Sequence, residues 1–170
     1  MSYLPKTTAL TVAFVFTALG AQADPAALNT PENIAAAMQA CAVITAAHDY
    51  DAEGQAVDIA WTRITDRSAS FGAQDDAVTL SANVWGNGTS GNSYCDFLFT
   101  DESLTEAAFD TFMQSNTTVA FEDRPGVCVG DKFILVEMTG PDGPLSGPMQ
   151  KEGHITVHSQ GTSAAAPCTD

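Results

Sequence analysis

The chain has 170 residues, with 21 acidic against 6 basic side chains and a formal net charge of −15. Such a surface is a poor partner for nucleic acid or anionic membranes, because like charge repels it from both. The acids are scattered along the chain, as in a hydrated, self-repelling surface, and form no acidic block.

Residues 1–23 read as a cleaved export signal. Lys6 gives the positive start, Thr7 to Leu19 an uncharged apolar stretch, and Ala21-Gln22-Ala23 a small-x-small cleavage site before Asp24. That stretch is short of the roughly 20 residues needed to cross a bilayer, so no membrane anchor is expected. No cysteine follows the cleavage site and no twin arginine precedes the apolar stretch, which argues for ordinary export of a soluble protein to a bacterial periplasm or beyond. Removal of 23 residues leaves 147 in residues 24–170, enough for a single domain, and the loss of Lys6 takes the charge to −16.

Four cysteines, Cys41, Cys95, Cys128 and Cys168, form an even set in an exported chain, which predicts two disulfides. No pair has C-x-x-C spacing, so zinc and redox-motif readings are disfavoured. Three connectivities are possible and the sequence does not choose among them. Pairing neighbours along the chain, Cys41 with Cys95 and Cys128 with Cys168, is the preferred one, and the second bridge would hold down the small-residue tail.

Thr30-Pro31-Glu32 is a helix start, combining a capping hydroxyl, proline at the first helical position and an acid at the positive end of the dipole. The helix should run to about His48, with Ile34, Met38, Cys41 and Thr45 on one face. The period then changes to two. Val57, Ile59 and Trp61 alternate with polar or small residues, as do Val78, Leu80, Ala82 and Val84, which predicts half-buried strands. A third strand carries Cys95, Phe97 and Phe99 on one side and Tyr94, Asp96 and Leu98 on the other, in a hairpin with the second.

Thr100-Asp101-Glu102-Ser103 offers two caps for a second helix whose stripe is Leu104, Ala108, Phe109, Phe112 and Met113, ending near Ser115. Three strands are expected after it, around residues 117–122, 132–138 and 154–159. Phe133 to Val136 is apolar on both faces, as in a central strand covered on both sides. Gly86 to Ser93 and Gly140 to Pro148 should be surface loops. The fold class is α+β, antiparallel, in the order α-βββ-α-βββ. The repeated order suggests a duplication, although the halves share no residue signature.

Asp49, Asp51 and Glu53 before Gly54 resemble the opening of a calcium loop, but the twelfth position is Ala60 where an EF-hand needs glutamate. A solvated turn is the plainer reading. His154 and His158 have H-x-x-x-H spacing on a strand, where four residues at roughly 3.3 Å set their Cα atoms about 13 Å apart, too far to share an ion, so a polar outer row with Thr156 is expected. His48 and Asp49 point about 100° apart on a helix and make a poor base and orienter pair. No G-x-S-x-G, S-x-x-K, H-E-x-x-H or phosphate loop occurs, and no cofactor motif is found.

Trp85 and Tyr94 bracket the polar 86–93 loop and could stack on a sugar or anchor a protein partner, or be covered by other elements. Asn87-Gly88-Thr89 and Asn116-Thr117-Thr118 match the glycan acceptor pattern. The leading functional expectation is a non-enzymatic binding or interaction module of the cell envelope. The alternatives are a small periplasmic hydrolase built from dispersed acids and a histidine, and a calcium-stabilised structural protein.

Overall fold

The computed structural model describes residues 27–49, 62–65, 68–71, 77–84, 93–140, 153–159 and 168; for 62–65 and 68–71 only the backbone is described. Ten elements follow one another: α1 (Pro31–Ala47), β1 (Thr62–Thr65), β2 (Ser68–Phe71), β3 (Val78–Asn83), β4 (Tyr94–Phe99), α2 (Glu102–Ser115), β5 (Thr118–Phe121), β6 (Arg124–Val129), β7 (Lys132–Thr139) and β8 (Gly153–Ser159). The fold is α+β, with all the described strands in one antiparallel sheet of order β1-β2-β3-β4-β8-β7-β6-β5. Each half is a helix followed by a four-stranded meander, and the last strands of the halves, β4 and β8, pair at the centre. The sheet order is therefore symmetric about that pair, as the repeated element order suggests.

Helix α1 begins where its chemistry dictates: the Thr30 hydroxyl accepts from the Asn33 N–H at 3.3 Å, Pro31 sits at the first turn, and Glu32 faces the positive dipole end. Ile34, Met38, Cys41 and Thr45 are all fully buried, as their spacing requires, but so are Ala40, Ala42 and Ile44. The wider burial has a simple cause, since α1 lies against β4, β6, β7 and β8 and is also covered by α2. Its many alanines permit that close approach on several sides.

Of the two candidate caps of α2, Asp101 is the one used. Its Oδ1 accepts from the backbone N–H groups of Ser103 and Leu104 at 2.8 and 3.3 Å and from the Ser103 hydroxyl at 2.6 Å. Those bonds hold the Asp101 carboxyl below its ordinary value of 3.8, the Ser103 hydroxyl contributing most. Ala108 and Phe112 of the expected stripe are buried, with Leu104, Phe109 and Met113 packed against the same core. Thr105 is buried too, its hydroxyl donating to the Asp101 carbonyl at 2.9 Å. Asn116, the first residue of the second match to the glycan acceptor pattern, caps the other end, its Nδ2 donating to the Phe112 carbonyl at 2.8 Å.

The strands depart from the expected order at two places. Val57, Ile59 and Trp61 fall outside the described residues, and an antiparallel pair, β1 with β2, covers 62–65 and 68–71. In the second half, β6 is an additional strand. Its Pro125 and Gly126 are strand breakers in isolation, yet Pro125 is only the second residue of the strand, and pairing with β7 starts after it, at Gly126. The β5–β6 turn has Glu122 and Asp123 at φ 52° and 61°, the paired positive values a two-residue I′ hairpin demands.

Among the described residues the core has two parts. The main cluster lies between the helices and one sheet face and includes Ile34, Met38, Leu80, Phe97, Phe99, Phe112, Ile134, Val136, Ile155 and Val157. The second, on the opposite face, joins Phe133, Leu135 and Cys168 to Val119, Phe121 and Cys128. Strand β7 thus buries all four residues from Phe133 to Val136, two on each side, as a central strand does. Two disulfides close the fold. Cys41–Cys95 ties α1 to β4 within the main core, and Cys128–Cys168 ties β6 to the C-terminal end. No helix among the described residues is long and apolar enough to cross a membrane.

Candidate functional site

Period-two alternation sends the even-numbered residues of β4 and β8 to the face away from the helices, and the antiparallel register aligns them in rows. Asp96, Thr156 and Glu137 are opposed across β4, β8 and β7; Tyr94, His158 and Leu135 form the next row, and Leu98, His154 and Thr139 the one beyond. The sheet therefore gathers titratable side chains from distant parts of the chain onto one surface.

They pair in two groups. His154 Nε2 lies 3.0 Å from Asp96 Oδ1, and the Thr156 hydroxyl donates to that same oxygen at 3.1 Å. Thr156 Oγ1 is also 3.1 Å from His154 Nε2, so the three atoms close a triangle. The second group is His158, whose Nε2 is 3.3 Å from Glu137 Oε2, and Arg124, whose Nη2 is 2.9 Å from Glu137 Oε1. The His154 and His158 side chains are each 17% exposed, while Glu137 and Arg124 are above 40%, so the network runs from half-buried to wet.

Burial of His158 disfavours its imidazolium and lowers its pKa from the ordinary 6.5, against the pull of Glu137 in the other direction. Its Nε2 faces the Glu137 carboxylate, whose hydrogen bond and charge partly offset that burial. Burial pushes the Glu137 carboxyl up, but hydrogen bonds from Arg124 and His158, with their charges, together carry it below its ordinary 4.5. His154 and His158 thus each have their own carboxylate, and the expected outer row of His154, Thr156 and His158 is the one the strand presents. Sequence reasoning missed Glu137, Arg124 and the role of Asp96 as partners, because only the strand order sets β4 and β7 beside β8 and β6 beside β7.

An acid–base relay uses opposite nitrogens of an imidazole, one toward the acid and one toward the nucleophile. Here Asp96 and Thr156 both address Nε2 of His154. The arrangement fixes donors and acceptors in place; it does not route a proton from hydroxyl to carboxylate through the ring.

The third histidine meets a serine. His48 closes α1 in the left-handed region at φ 55°, and its Nδ1 is 2.6 Å from Ser93 Oγ. Ser93 is fully buried, and its backbone N–H donates to Ser159 Oγ while its carbonyl accepts from Ser159. A hydroxyl without exposed surface does not meet a substrate carbonyl, so this pair pins the end of α1 to the start of β4 and the end of β8.

Of the proposed calcium ligands, Asp49 is exposed at the end of α1, and Asp51 and Glu53 lie outside the described residues, as do Trp85 and Asn87. No group of three or more His, Cys, Asp or Glu side chains that could hold a metal gathers among the described residues. Tyr94 is half-buried and stands on the outer face between Asn83 and His158 in the register. No protein-family model matches the chain, and no curated protein and no solved structure matches it either.

Proposed function

We propose that this chain is a small exported, non-enzymatic binding module of the cell envelope, and that it takes a polar ligand on the sheet face opposite its helices. The observation that carries the reading is the half-buried network of Asp96, His154, Thr156, His158 and Glu137 on that face, with Tyr94 beside it. Fixed donors and acceptors next to an aromatic ring are the ingredients of a site that orients a polar ligand such as a glycan, with the ring supplying contact area at low entropic cost. The face stands on the two central strands, and Cys41–Cys95 anchors β4 beneath it. Export is supported by the signal-like first 23 residues and by two disulfides, which persist in oxidising compartments.

The experiment is capture from envelope extract on immobilised protein, comparing the wild type with Tyr94→Ala and His154→Ala and with Glu106→Ala, an exposed change on α2. The first two should lose the captured ligand while keeping the wild-type thermal midpoint, and the third should retain it. Equal capture by all four proteins would refute the assignment of this face.

A further inference from the structure

The two disulfides differ in what surrounds them. Cys41 and Cys95 have no exposed surface and sit inside the main core, between α1 and β4. Cys128 is half-buried on β6, and Cys168 is 8% exposed, against the small cluster of Phe133 and Leu135 on the other face. Thiol–disulfide exchange needs a thiolate to reach a sulfur, so access ranks the two bonds. Reaching Cys95 requires α1 to leave the sheet, which opens the whole core. Reaching Cys128 requires no such opening, and the residues of the main cluster make no use of Cys168.

We propose that Cys128–Cys168 is a thiol–disulfide exchange site for an external dithiol, while Cys41–Cys95 is a permanent staple. A thiolate of the dithiol attacks Cys128 Sγ, the bond to Cys168 Sγ breaks, and Cys168 leaves as a thiolate that takes up a proton. The second sulfur of the dithiol then attacks the first, forming its own disulfide and releasing Cys128, which is protonated in turn. Two electrons pass from the dithiol to the protein, and the helix-side core keeps its bridge throughout.

The test is dithiothreitol on the folded, fully oxidised chain, with alkylation of freed thiols at intervals, peptide mass mapping and far-ultraviolet circular dichroism. Cys128 and Cys168 should be labelled about tenfold or more faster than Cys41 and Cys95, as local opening outpaces global unfolding, with the helix signal unchanged. Labelling of all four cysteines at one rate, or only as the helix signal is lost, would overturn the proposal. The double variant Cys128→Ser with Cys168→Ser gives a second reading: it should fold with Cys41–Cys95 intact, and failure to fold would show that both bridges are structural.

Discussion

Replacing Gly153 by alanine tests how closely α2 is seated on the sheet. Gly153 opens β8 opposite Phe99, and a Cβ there would overlap Oγ1, Cγ2 and Cβ of Thr105. Thr105 has little freedom to yield, because it is β-branched on a helix, 2% exposed, and donates to the Asp101 carbonyl at 2.9 Å. Overpacking of a well-filled interface costs about 1–3 kcal/mol, and the rigidity of both partners places this change at about 2–3 kcal/mol. At roughly 2–4 °C per kcal/mol for a domain near this size, the midpoint should fall by about 4–12 °C. Thermal and urea unfolding, followed by circular dichroism with both disulfides confirmed by mass, reads the effect. Thr105→Ala removes the two atoms nearest the new methyl, so in that background the same substitution should lose less than half as much stability, a coupling of about 1–2 kcal/mol. Additive losses in the double variant would refute the reasoning.

The remaining predictions concern protons and caps. Because burial lowers the pKa of His158, the unfolded chain binds its proton first, so this group favours folding above pH 6.5 and withdraws that support as pH falls below it; His158→Gln should flatten stability against pH in that window, and an imidazole titration above 6.5 by NMR would contradict the assignment. Asp101→Ala should lower the thermal midpoint at neutral pH, and since the folded carboxyl titrates below 3.8, the difference from wild type should shrink as pH falls beneath that value. Ser93→Ala breaks the His48 pin and should cost about 1 kcal/mol in urea unfolding, with a loss too small to measure arguing that the bond carries no load.

Local chemistry made much of this fold readable. Thr30-Pro31-Glu32 marks the start of α1 because the cap, the proline and the acid each act within one turn, and β4 shows its two faces through strict alternation of Cys95, Phe97 and Phe99 with Tyr94, Asp96 and Leu98. Strand β6 was hidden because Pro125 and Gly126 read as breakers until β5 and β7 supply partners, and because the preceding turn uses Glu122 where Asn, Asp or Gly is the usual signal. The outer-face network was half legible. His154, Thr156 and His158 share a face by periodicity alone, but Asp96 lies 58 residues from His154 and Glu137 lies 21 from His158, and only the β4-β8-β7 order makes them neighbours. Likewise Ser93 meets His48 through the placement of α1, which no short-range pattern encodes.

The outer face stands or falls on where a ligand is felt. Backbone and imidazole NMR shifts, recorded as the captured envelope ligand is titrated into the oxidised chain, should move at Tyr94, Asp96, His154, Thr156 and His158 and stay still along α2. Shifts concentrated on α2 or at the Glu122–Asp123 turn, with the β4 and β8 signals unmoved, would contradict the account.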